Sequence, residues 1–462
     1  MLYEIKWKGN ILLNLRIQNY ISAANVYNTK PIGVSKQQGL SRDTVSFTGL
    51  KHKGWAEDVT PEARKQIIND IKKIDFDNDK PLGLGADGMV FKLEGNSQFP
   101  EGVVIKVSHT QNRHPITGEM QRVGETFEKE QAILKEAGKI NENSQSYIGS
   151  LVTADGRNVM ISTLVPGKHP SFNTNPLDNK TTESLLEALN TLDSKNILHR
   201  DLKKENIFTK DGTAGLLDYG VSIKFSPLDF DTNIDSNHFT PFEIPTNLKN
   251  FEHTFLGSYM DEMAKQSPEK AADFFKNYLS IRAEKVHEPT SLRLKNYIKT
   301  NEENLTPDQL EKLENMAHYQ EICAKVLSKP SKAVANVELL KQQIGYNSEL
   351  AYKNEVLLLN PLANMTLKFN SLIAAKKLEQ TIDELLKKPC EADTKEYLRY
   401  QNEFAQYQLN KVSGWTEGLT NWLLSCLKTP IGDANSSQKA VIDLFTEKPL
   451  NEFEIPNIRT IQ

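Results

Sequence analysis

Residues 197–208 read Ile-Leu-His-Arg-Asp-Leu-Lys-Lys-Glu-Asn-Ile-Phe, and Asp218-Tyr219-Gly220 follows shortly after. Few folds can use such a pair of runs. Each is polar and bracketed by apolar residues, so each reads as a loop between buried elements. Together they hold a carboxylate able to serve as a base, a lysine two residues further on, and an Asn and an Asp whose hard oxygens suit a small divalent cation. Taken singly, these residues have plainer readings: Asp and Asn favour turns, and adjacent lysines are usually solvated. Their joint occurrence narrows the field.

The upstream half of the chain supplies matching parts. Leu82-Gly83-Leu84-Gly85-Ala86-Asp87-Gly88-Met89-Val90 fits G-x-G-x-x-G-x-V. Gly83, Gly85 and Gly88 would let backbone approach phosphates with no Cβ in the way. A dinucleotide-binding fold uses a similar run to open a helix, but here Val90-Phe91-Lys92-Leu93 continues as a strand. A turn-rich stretch and a second strand, Val103-Val104-Ile105-Lys106-Val107, come next. Residues 125–137 place Phe127, Gln131 and Leu134 at helical spacing, and Glu130 lies within that helix. Residues 159–165 form a buried strand leading into the Pro166-Gly167 break. Residues 182–195 are an amphipathic helix with Leu185, Leu186, Leu189 and Leu192 on one face.

In this order the elements resemble the protein kinase family. The two loops resemble its catalytic H-R-D-L-K-x-x-N and its metal-binding D-F-G, with Tyr219 in the Phe position. The resemblance covers residues 82–220 and implies an α+β, bilobal protein-kinase-like fold: a small β-rich N-lobe, a helical C-lobe and, in this chain, an additional all-α C-terminal region. It implies ATP and Mg²⁺ as cofactors and a protein substrate. Asp201 would orient the substrate hydroxyl, and Lys203 would neutralise the moving phosphate. Asn206 and Asp218 would hold Mg²⁺. The 83–88 loop would cover ATP, and Lys106, held by Glu130 or by the alternative Glu128, would set the α- and β-phosphates. Val90, Val104 and Phe208 would sandwich the adenine, with Ser162 at the back of the pocket. Val104 departs from the usual Ala and narrows the pocket. His199 and Tyr219 would be packing residues. Arg200 could pair with a phosphate on Ser222, Ser226, Thr232, Ser236 or Thr240. A Lys two residues after the Asp resembles Ser/Thr rather than Tyr kinases.

After Gly220 the resemblance thins. Thr240-Pro241-Phe242-Glu243 stands, in degenerate form, for the A-P-E that closes the activation segment. Residues 254–260 look like the buried helix anchoring the C-lobe, with Glu252 in place of its usual Asp. Other readings stay open: a small-molecule kinase of aminoglycoside or choline type, AMP transfer on the same fold, or a pseudokinase scaffold binding a partner through its helical tail.

The expected organisation is an extension over 1–77, a kinase-like domain over 78–330 and a helical region over 331–462. The extension reads as a hairpin on Tyr3, Ile5, Trp7 and Ile11, Leu13, Leu15, Ile17, then a polar linker over 28–48, then a helix opened by Thr60-Pro61-Glu62 that could brace the small lobe. Residues 265–462 read as almost entirely helical, with helices over 306–328, 367–388, 394–412 and 436–446. The part up to about 330 completes the kinase-like domain, and the remainder has no chemical motif and room for a protein partner, with Trp415 and Trp422 read as core. A net charge of −4 argues against nucleic acid. Three scattered cysteines argue for a reducing compartment. Neither a signal peptide nor a transmembrane run is visible. The expected location is the cytoplasm, or a host cytosol reached by a specialised secretion route, since the divergent end is similar to bacterial effector kinases.

Overall fold

The computed structural model describes residues 51–84, 88–109, 112–113, 120–121, 123–225, 242–356 and 361–428. The proposed hairpin, the 28–48 linker, Gly85, residues 226–241 and the 436–446 helix lie outside them.

The N-lobe is a six-stranded antiparallel sheet. Its strands are β1 (Lys51–Trp55), β2 (Gly83–Leu84), β3 (Gly88–Leu93), β4 (Val103–Ser108), β7 (Tyr147–Val152) and β8 (Asn158–Thr163), in the order β1-β7-β8-β4-β3-β2. A small ladder of β5 (Asn112–Arg113) and β6 (Met120–Gln121) lies between β4 and the helix α2 (Val123–Ala137) in sequence. The period-2 alternation of strands decides which residues meet the cleft. Val90 pairs with Lys106, Val104 with Ser162 and Lys106 with Met160, so these side chains share one face. Phe91, Ile105 and Ile161 take the other face and are buried. Phe76 packs on Phe91 at 5.5 Å. The preceding helix α1 (Pro61–Ile71) also lies against β3, capped by the Thr60 side chain and burying Ala63, Ile67 and Ile71. The extension therefore contributes a helix and the edge strand β1, and nothing in the local sequence pattern predicts that strand.

The C-lobe begins with α3 (Asn179–Ser194), whose N-cap is Asp178 and whose four leucines are fully buried. Next come β9 (Ile197–Leu198), a 3₁₀ turn (Lys204–Asn206), and a hairpin of β10 (Ile207–Lys210) and β11 (Thr213–Leu216). The turn residues Asp211 and Gly212 both have positive φ, 53° and 78°, as a two-residue hairpin turn demands. The short strand β12 (Ile223–Lys224) pairs back on β9.

The chain then runs through α4 (Asn247–Phe251), a π turn (Glu252–Leu256), α5 (Gly257–Gln266), α6 (Pro268–Arg282), a second π turn (Ala283–His287) and α7 (Glu288–Asn301). Helix α8 (Pro307–Leu327) starts at a complete capping box, Thr306 with Gln309. The last helices are α9 (Lys332–Val356), α10 (Pro361–Leu386) and α11 (Ala392–Lys428). The core does not divide near residue 330. Val337, Ile344, Leu378, Tyr397 and Phe404 share one buried cluster with Leu185, Leu189 and Phe255. The tail helices are thus built onto the C-lobe through a common core. Trp415 and Trp422 lie on α11, beyond the residues whose side chains are described.

Candidate active site

Each functional side chain is placed by the element beneath it. Lys106 projects from β4 into the cleft, and its Nζ donates to Glu130 Oε2 of α2 at 2.7 Å. Glu130 is 2% exposed, so this is a largely dehydrated charge pair. Glu128, the alternative partner, is exposed. The same ammonium lies 3.8 Å from Asp218 Oδ1. Lys106 therefore joins sheet, helix and lower loop.

The lower loops are held in a demanding backbone geometry. Arg200 and Asp218 both sit at positive φ, 67° and 66°, a region that costs a non-glycine residue about 1–3 kcal/mol and persists only under external restraint. Those restraints are visible. Asn247 Oδ1 accepts from the His199 amide at 2.7 Å, Asn250 Oδ1 accepts from the Leu202 amide at 3.0 Å, and Thr254 donates to the Leu202 carbonyl at 2.8 Å. Gln145 Oε1 accepts from the Asp218 amide at 2.9 Å, while its Nε2 donates to Ser162 Oγ at 3.0 Å. One side chain thus ties the back of the cleft to the Asp218 loop.

Asp201 is the focus of the lower side. Its Oδ2 accepts from Lys203 Nζ at 2.6 Å and from Asn206 Nδ2 at 2.8 Å. Asn206 Nδ2 also donates to the Asp201 carbonyl at 2.9 Å. With the amide hydrogens of Asn206 committed, its remaining polar function is the carbonyl oxygen, a hard ligand. Burial alone would lower the Lys203 ammonium, but the hydrogen bond and charge of Asp201 outweigh it and raise it, so Lys203 stays cationic.

His199 is fully buried, and burial pushes its imidazole below the ordinary value despite the nearby Asp218 and Asp201. Its Nε2 meets the Leu217 carbonyl at 3.1 Å and its ring lies 4.9 Å from that of Tyr219. Both side chains are packing elements beneath the loops. Phe208 follows on β10, its ring 4.2 Å from that of His169. Val90 and Val104 are half-buried on the cleft face opposite.

Two expectations are corrected. Glu252 does not brace the catalytic loop. It accepts from Tyr278 at 2.6 Å and pairs with Arg282 at 3.2 Å, while Asn247 and Asn250 make the bonds to the loop amides. The supporting helix begins earlier than residue 254, at the Thr246 N-cap, and Thr246 ahead of Asn247 was the available signal. Ser222 is not an accessible phosphorylation site, since it is 1% exposed and donates to the His199 carbonyl at 3.1 Å. No local sequence pattern marks Gln145.

The donor set suits a magnesium nucleotide. Asn206 and Asp218 offer hard oxygens, Lys106 offers a fixed cation, and β2 and β3 bring Gly83 and Gly88 to the roof. A two-layer molecule of this kind, with a β-sheet lobe above a helical lobe and the ionic cluster between them, is a bilobal α+β protein kinase fold.

Comparison with known proteins agrees. Residues 76–253 match the family described as protein kinase domain. A serine/threonine-protein kinase of Dictyostelium discoideum, fray1, is 28% identical over 194 residues, or 37% of this chain and 32% of that protein. The chain thus spans about a third of the length of this curated relative. Residues 76–253 are thus similar to a protein kinase domain, and a serine/threonine-protein kinase is among the proteins this part of the chain resembles. Among the described residues no helix is long and apolar enough to cross a membrane.

Proposed function

We propose that this chain transfers the γ-phosphoryl group of ATP, with Mg²⁺, to Ser or Thr hydroxyls of a protein. The observation that carries the proposal is the convergence of Lys203 and Asn206 on one oxygen of Asp201. Among the described residues, the other oxygen, Oδ1, makes no hydrogen bond to the protein and is the natural acceptor for a substrate hydroxyl.

Bound Mg²⁺ and ATP would supply charge neutralisation and an activated phosphoryl group. Asn206 and Asp218 would hold the metal, and Lys106, kept in place by Glu130, would meet the α- and β-phosphates. Val90, Val104 and Phe208 would enclose the base. Asp201 Oδ1 orients the hydroxyl and takes its proton as the new P–O bond forms and the β–γ bridging bond breaks, with ADP leaving. Lys203 is then positioned to offset negative charge on the transferring group. It also favours a Ser/Thr acceptor by its place two residues after Asp201. Catalysis of this type rests on positioning and electrostatics, which fits loops held under backbone restraint.

The test is incubation with γ-labelled ATP, Mg²⁺ and a generic protein acceptor, followed by phosphoamino-acid analysis. Phosphoserine or phosphothreonine is the expected product. Transfer of an α-label, or of the γ-label to an aminoglycoside or choline but not to protein, would contradict the proposal.

A further inference from the structure

Phe242 and Glu243 are the first described residues after the 226–241 stretch, and both are seated on the helical tail. The Phe242 ring packs 4.9 Å from Tyr319 on α8 and 5.0 Å from Tyr400 on α11. The Glu243 carboxylate, 9% exposed, takes a different cation on each oxygen: Lys249 on Oε2 at 2.6 Å and Lys341 of α9 on Oε1 at 2.9 Å. Lys341 also donates to the Tyr319 hydroxyl at 2.8 Å. Burial alone would raise the Glu243 carboxyl, but the two ammoniums outweigh it and hold it anionic.

A second pair runs alongside. Glu338, about one turn before Lys341 on α9, accepts from Arg282 at 2.6 Å. Helix α9 thus presents an acid and a base on one face, each matched to an opposite charge of the C-lobe. Buried pairs of this kind add little net stability over apolar packing. Removing one partner leaves a charge stranded, so their use is to fix register.

The short run 243–250 carries two jobs. Glu243 at one end meets Lys341, and Asn247 and Asn250 at the other hold the amides of His199 and Leu202 that flank Asp201. Building on the phosphoryl-transfer reading, we propose that Lys341 is a positioning residue: through Glu243 it fixes the 243–250 run and with it the catalytic loop. The tail is then part of the catalytic apparatus.

Two arms test this on the full chain, comparing Lys341→Met, Lys341→Arg and Glu243→Gln with the wild type. The first is amide hydrogen exchange, which needs no activity. Faster exchange at His199 and Leu202 is expected in Lys341→Met and Glu243→Gln, with α3 unchanged and Lys341→Arg closer to the wild type. The second is kinetic. In Lys341→Met, kcat for a protein acceptor should fall about tenfold to a hundredfold with the KM for ATP unchanged, since Lys106 and Glu130 lie on the other lobe. The Lys341→Met/Glu243→Gln double variant should be no worse than the poorer single variant. Unchanged exchange at both amides would overturn the proposal, as would general loosening with a matching rise in the KM for ATP. If the wild type transfers no phosphate, the phosphoryl-transfer reading fails, while the exchange arm still decides whether Lys341 positions the loop.

Discussion

The Lys106 ammonium stands 2.7 Å from the Glu130 carboxylate and so couples the central sheet of the N-lobe to its helix. Because Glu130 is 2% exposed, removing Lys106 leaves its carboxylate in a poorly hydrated site, whereas removing Glu130 leaves Lys106 with Asp218 at 3.8 Å. Lys106→Met should lower the rate of phosphoryl transfer by about 10²–10³-fold, the scale of losing one fixed donor. Glu130→Gln should act in the same direction and less severely, as an amide can still accept a hydrogen bond. Steady-state kinetics alongside a thermal melt separates this loss from unfolding.

The glycines of the roof should respond unequally. A Cβ on Gly88 would come within 2.3 Å of the Val107 carbonyl oxygen, so the β3–β4 pairing must shift. Gly83 has nothing within 4 Å of that position. Gly88→Ala should cost about 1–3 kcal/mol by denaturant melt, whereas Gly83→Ala should leave the midpoint unchanged. Equal losses in the two variants would contradict the pairing of Gly88 with Ser108.

Much of the site was legible because its chemistry dictates residue types at fixed spacing. Lys106, Glu130, Asp201, Lys203, Asn206 and Asp218 all stand in motifs, and the structure gathers them into two bonded groups, Lys106 with Glu130 and Asp218, and Asp201 with Lys203 and Asn206. The caps at Thr60 and Thr306 were legible for a local reason: Ser/Thr followed by Pro opens a helix. What escaped was non-local. Strand β1, Lys-His-Lys-Gly-Trp, has no apolar alternation and forms by pairing with β7 across a register shift between His52 and Gly54. Asn247 and Asn250 brace amides some 48 residues away in sequence. Burial of Glu338 and Lys341 runs against the rule that charged helix positions face water, so no periodicity could reveal that α9 docks on the C-lobe.

That docking makes a stability prediction. Glu338 is 1% exposed and bonded to both Arg282 and the Tyr397 hydroxyl. Truncating one member of such a buried set typically costs about 3–5 kcal/mol. Glu338→Ala should therefore lose stability on that scale, and the C-lobe and tail should unfold in a single transition. A separate low-temperature transition of the tail would contradict a shared core.

A pH dependence follows from Asp193, at the end of α3. Burial pushes its carboxyl up to about 7, against the Arg293 charge and two hydrogen bonds from Asn247. Between the unfolded value of 3.8 and about 7, the folded chain holds a proton that the unfolded chain has released. This contribution is fully present below 3.8 and is lost as pH rises through about 7. Asp193→Asn keeps an acceptor for Asn247 and removes the titration. Its melting temperature should vary less across that window than that of the wild type, and it should be the more stable protein on the alkaline side. Parallel pH profiles for the two proteins would refute this assignment.

The most direct measurement is label transfer from γ-³²P-ATP with Mg²⁺ to a protein acceptor, comparing the wild type with Asp201→Ala at matched nucleotide binding. The expected result is label on protein from the wild type and its loss by about 10²-fold or more in the variant, with ATP still bound. Equal transfer by both, or tight ATP binding with no transfer by the wild type, would contradict the role of Asp201.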